Sequence, residues 1–81
     1  MYVVTVCRLG ESPRDALQRF ESEEETDAAR ERLTAEALDR AREIEGAGER
    51  VSVQMRLEFP VEWEPPTSWQ TVYQTPPRLA A

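Results

Sequence analysis

The sequence predicts an α+β domain: a three- or four-stranded, mostly antiparallel sheet with one long α-helix packed on one face. Three observations carry this expectation. Residues 22–46 hold a helix-period apolar stripe between capping and stop signals, residues 50–59 alternate apolar and polar without a break, and residues 1–9 form a β-branched run. With 81 residues the chain, 1–81, makes one domain with a modest core, since a small domain buries only about 60% of its unfolded surface.

The first strand spans 1–9. Tyr2 to Leu9 is too short for an independent helix, and apolar residues on both alternating sets predict a central strand buried on two sides. Cys7 reads there as a small buried hydrophobe. Residues 10–21 are turn chemistry followed by either a short strand or a helical turn. Ser12-Pro13 with Asp15 is a helix start, whereas Gly10 to Pro13 also suits a turn from which Ala16 to Glu21 returns as an edge strand. The strand is preferred, and Leu17 and Phe20 are expected to reach the core in either form.

The helix is predicted over 22–46. Ser22 and Glu25 match a capping box, and Glu23, Glu24 and Asp27 place negative charge at the positive end of the macrodipole. Ala29, Leu33, Ala37, Ala41 and Ile44 fall on one stripe, with Leu38 at its flank, and Gly46 and Gly48 supply the stop. Glu36 stands where it can pair with Arg40 one turn on. The strand at 50–59 follows, with Val51, Val53, Met55, Leu57 and Phe59 on one side and Ser52, Gln54, Arg56 and Glu58 on the other. Leu33, Ala37, Ile44, Val53, Met55, Leu57 and Phe59 are the expected core. Pro60 interrupts the ladder, 60–67 is a proline-rich connection, 68–75 is a last strand, and 76–81 is a frayed tail. The strands on either side of the helix are expected to lie side by side.

The formal net charge of −6 argues against a nonspecific nucleic-acid binder, which needs a basic footprint. A single cysteine forms no internal disulfide, no signal-like segment follows Met1, and no run has the apolar length of a membrane span. The expectation is a small cytoplasmic protein.

Catalysis is not expected. The chain has no histidine to serve Cys7 as a base, and Gly46-Ala47-Gly48 lacks the following helix that a phosphate cradle requires. Glu58, Glu62 and Glu64 alternate and could share a face, but no calcium-type loop accompanies them. No cofactor and no metal ligand set is therefore predicted.

Two surfaces remain as candidates for binding. One is the acidic helix, with Glu24, Asp27, Glu31, Glu36 and Asp39, since an acidic face steers association with arginine- and lysine-rich grooves. The other is aromatic, with Trp69 and Tyr73; Trp63 reads better as closing the core. The expected function is a small acidic protein-binding module that occupies a basic surface on a larger, nucleic-acid-handling partner, with no direct contact to nucleic acid or membrane. In size and charge the chain resembles phage and mobile-element inhibitors of the DNA-mimic kind, anti-CRISPR proteins among them, without a motif that assigns it to any such family. The competing expectation is a homo-oligomeric structural or accessory protein, a homodimer through the 69–75 edge included, whose acids serve solubility only.

Overall fold

A computed structural model of the chain describes residues 1–59 and 68–77. The elements are strand β1 (Tyr2–Arg8), a 3-10 turn (Pro13–Asp15), strand β2 (Gln18–Ser22), helix α1 (Asp27–Gly46), strand β3 (Val51–Leu57) and strand β4 (Gln70–Gln74). The four strands form one sheet in the order β2-β1-β3-β4, every neighbouring pair antiparallel, and α1 packs on one face. This is the α+β architecture that the hydrophobic patterning predicts.

β1 is the centre of the sheet, and both of its faces are covered. Val4 and Val6 point into the core with Leu33, Ala37, Ala41, Ile44, Val51 and Val53, while Tyr2, Phe20, Leu38, Met55 and Tyr73 close its rim. On the face away from the helix, Val3 and Cys7 are 0% exposed and Thr5 only 1%. Cys7 donates its thiol to the Ser52 carbonyl at 3.5 Å, and burial, reinforced by the charge of Glu11, pushes its pKa up. The thiol therefore stays protonated, which is poor chemistry for a nucleophile.

Residues 10–21 contain both of the structures that their sequence allows. Ser12 caps the 3-10 turn by accepting from the Arg14 N–H at 3.2 Å, and β2 then returns beside β1. Phe20 is half-buried against the core, whereas Leu17 is 38% exposed and does not reach it.

The helix begins at Asp27, not at Ser22. Ser22 is instead the last residue of β2, opposite Tyr2, and its buried hydroxyl donates to the Glu24 carbonyl at 3.3 Å. Thr26 is the cap, its Oγ1 accepting from the Ala29 N–H at 3.2 Å. Glu25 is drawn away from a capping role by the Met1 ammonium, 2.7 Å from its carboxylate. Pairing with β1 thus captures the residues that would otherwise extend the helix by another turn. The stripe is phased as predicted: Ala29, Leu33, Ala37, Ala41 and Ile44 are all buried. Gly48, at φ +94°, makes the turn out of the helix, a conformation that glycine adopts without a steric penalty.

The strands flanking α1 are not neighbours. β2 and β3 lie on either side of β1, so the helix crosses over the central strand to join them. The reason is local: the short turn at 10–17 makes β1 and β2 a hairpin before the helix begins, and β3 then takes the remaining free edge of β1.

Burial along β3 fades toward its end. Val51 and Val53 are fully buried, Met55 and Leu57 half-buried, and Phe59, expected in the core, is 36% exposed. An alanine-rich helix offers few long side chains to cover that end of the sheet. Between β3 and β4 the register slips by a bulge: Val53 faces Tyr73 but Gln54 faces Thr71, so Val72 has no opposite number. The expected proline-rich connection at 60–67, with Trp63, Glu62 and Glu64, and the tail at 78–81 lie outside the described residues.

Candidate functional site

The molecule carries charge on two opposite surfaces, organised in different ways. On the sheet face away from the helix, a line of side chains runs from β2 over β1 to the end of β3 and on to Trp69, which precedes β4. Glu21 of β2 accepts from the Arg19 Nε. Arg19 also reaches over β1 to Glu58, its Nη2 2.8 Å from the Glu58 carboxylate. The other oxygen of Glu58 accepts from Arg56 Nε at 2.9 Å, and the Arg56 guanidinium lies 4.2 Å from the centre of the Trp69 ring. Burial pushes the Glu58 carboxyl up, but hydrogen bonds and charge from Arg19 and Arg56 outweigh it and hold the group below the usual carboxylate range. The line lies across the strand that carries Val3 and Thr5, so alkyl stems and paired charges stand where a second helix would otherwise be needed.

The helix surface is different. Glu24, Asp27, Glu31, Glu36 and Asp39 are all exposed. Asp27 stands 3.5 Å from Arg30, but Glu24, Glu31, Glu36 and Asp39 have no side-chain hydrogen bond or ion pair among the described residues. Arg40, expected beside Glu36, pairs with Glu43 at 2.9 Å. Nor do these acids share one face. At 3.6 residues per turn, Glu31 and Glu36 are about 140° apart around the helix. Glu24, Asp27 and Glu31 belong to the entrance of α1. Glu36 and Asp39 overhang β2, where they border an open groove of about 460 Å³ with Gln18, Phe20, Arg40 and Glu43.

Trp69 and Tyr73 do not form one aromatic surface. Four residues apart, they would share a face in a regular strand, but the bulge at Val72 changes the parity. Trp69 is left beside Arg56 on the face away from the helix, while Tyr73 joins the helix-side rim. The Tyr73 hydroxyl lies 2.8 Å from Glu45 Oε2 and 3.0 Å from Oε1, and Thr75 donates to the same carboxylate. The hydrogen bond to Glu45, with burial and its negative charge, raises the Tyr73 pKa. Tyr73 therefore fastens β4 to the end of α1 before it offers anything to a partner.

Among the described residues, no group of three or more histidine, cysteine or carboxylate side chains could hold a metal ion. Glu58, considered as a ligand with Glu62 and Glu64, is engaged by its two arginines. A cleft of about 540 Å³ at the sheet end is lined by Met1, Glu23, Glu25, Glu58 and Phe59. Its polar groups are largely committed: the Met1 ammonium donates to Glu25 at 2.7 Å and to the Glu58 carbonyl at 2.8 Å. No described helix is long and apolar enough to cross a membrane.

Sequence reasoning missed the Arg19–Glu58 bridge and the groove beside Phe20. A partial signal was present: Arg19 with Glu21, and Arg56 with Glu58, are opposite charges two apart, which a strand places on one face. The partner strands that bring these pairs together had no local signal. No protein-family model, no curated protein and no solved structure matches the chain.

Proposed function

We propose that the chain is an acidic, non-catalytic, cytoplasmic protein-binding module that occupies a basic surface on a larger, nucleic-acid-handling partner. An inhibitor that stands in for the phosphates of DNA, as a phage or mobile-element anti-CRISPR protein would, is the biological form this reading takes. The observation that supports it is the contrast in charge use: the carboxylates of Glu24, Glu31, Glu36 and Asp39 are exposed without a partner among the described residues, whereas Glu21 and Glu58 are neutralised by arginine. Such carboxylates, on a helix of about 30 Å and at its entrance, are available to steer and hold a basic groove. The test is a pull-down from host or phage-infected cells over a salt series, with the wild type and a Glu24→Gln/Asp27→Asn/Glu31→Gln variant. A captured nucleic-acid-binding protein should be lost from the variant and released by salt, because exposed charges are screened over about 10 Å at 0.1 M. Equal retention by both forms would overturn the acidic mechanism.

A homo-oligomeric accessory protein is the second reading, and one observation favours it. β4 is an edge strand with no charged residue from Gln70 to Gln74, and Val72 is 38% exposed upon it. Such an edge lacks the charges that usually discourage pairing. Light scattering over a concentration range tests it, and a monomer at the highest concentration would remove it.

A further inference from the structure

The groove under the acidic flank of α1 lies beside the other edge of the sheet. Among the described residues β2 pairs on one side only, with β1, which leaves its outer side open there. Which of its backbone groups face outward follows from the ladder. Met1 and Glu58 exchange both of their backbone hydrogen bonds, each at 2.8 Å, so the odd residues of β1 bond to β3 and the even ones to β2. In β2 the partners of those even residues are Gln18, Phe20 and Ser22. The N–H and C=O groups of Arg19 and Glu21 therefore point away from the sheet. Their side chains stand on the face away from the helix, while Phe20 stands on the helix side.

We propose that this edge accepts an extended basic segment of a partner protein as a fifth strand, with arginine or lysine at alternate positions. The inference rests on the binding role proposed above and names the kind of partner segment. Two residues of the incoming strand, opposite Arg19 and Glu21, complete the ladder. The residues between and beyond them, opposite Gln18, Phe20 and Ser22, turn to the helix side by the parity of a strand. There they meet Glu36, Asp39 and Glu43, of which, among the described residues, only Glu43 already has an arginine, Arg40. Glu36 to Glu43 covers about 10 Å along the helix and three alternate strand positions about 14 Å, a difference that long, flexible arginine or lysine side chains can span. A second copy of this chain is a poorer occupant, because its own Glu36, Asp39 and Glu43 would come to the same edge and repel.

The experiment titrates the isotope-labelled full chain with a synthetic pentapeptide of arginines at alternate positions separated by valines. Amide shifts should be concentrated in Gln18–Ser22 and 36–43, and hydrogen exchange at Arg19 and Glu21 should slow. Methylating the peptide nitrogens of the two valines, which donate to the ladder, should abolish binding; methylating those of the arginines should not. The Glu36→Gln/Asp39→Asn/Glu43→Gln variant should bind roughly tenfold more weakly, as expected for three partly exposed charge pairs. Equal binding of the two methylated peptides, or shifts confined to 23–31, would overturn strand addition while leaving the acidic-module reading in place. Failure of this peptide and of a contiguous oligoarginine to bind would count against both.

Discussion

The two charged surfaces of this small domain differ in what their charges are attached to. On the sheet face, Glu21, Arg19, Glu58 and Arg56 are bonded to one another and end against Trp69. On the helix and just before it, the carboxylates of Glu24, Glu31, Glu36 and Asp39 have no hydrogen-bond or ion-pair partner among the described residues. The sheet charges have a structural task, because the central strand needs its second face covered and α1, the one α-helix among the described residues, lies on the other face. The helix charges have no such task beyond favouring its N-terminal end. A composition count treats the two sets alike, and only the geometry separates charges that the fold uses from charges that it leaves over.

The division implies that the helix-side core, rather than the charged line, holds the domain together. Leu33→Asp is the largest expected effect. It removes a 3%-exposed side chain from the centre of the stripe and buries an unpaired carboxylate. The loss should be about 3–5 kcal/mol, a large part of the total for a domain of this size. Urea unfolding followed by circular dichroism measures it. A Leu33→Asp protein as stable as the wild type would show that the helix is not what shields the sheet.

Glu58→Gln should come next and sharpens the other half of the comparison. Glu58 is 21% exposed and holds two arginines, of which Arg19 is 41% exposed, so solvent screens part of the interaction. A loss of about 1–2 kcal/mol is expected. Its pH dependence has a definite sign. The folded-state pKa is depressed, so the contribution is complete above the unfolded value of about 4.3 and disappears as pH falls through the folded value. Urea midpoints between neutral and acid pH should therefore converge for wild type and Glu58→Gln. Parallel curves over that range would show that the ion pairs do not stabilise the fold.

How far the sequence anticipates this structure depends on how far apart the interacting residues are. The stripe from Ala29 to Ile44 and the two-sided burial of β1 were legible because both are written in local periodicity. The helix start was misread because Ser22 matches a local capping pattern, while the pairing that claims it comes from Tyr2, on another strand. The bulge at Val72 is a matter of register between β3 and β4, and no residue at that position announces it. It alone separates Trp69 from Tyr73. Likewise, the acidic residues were legible as a group, but their split into an entrance cluster and a β2 overhang follows from the helix phase and the position of an edge strand.

The smallest expected effect on stability is also the one that tests the comparison most directly. Glu36→Gln/Asp39→Asn changes two exposed carboxylates that hold no partner among the described residues, so unfolding should shift by no more than about 0.5 kcal/mol. If these charges are surplus to the fold and serve binding, the same change should flatten the salt dependence of partner association. Glu58→Gln should do the reverse, lowering stability and leaving that salt dependence as it is. The measurement is a pair of binding isotherms at low and physiological ionic strength for each variant, beside their unfolding curves. Should Glu36→Gln/Asp39→Asn destabilise the domain as much as Glu58→Gln does, the overhanging acids would have a structural role. Charge use could then no longer distinguish the two faces.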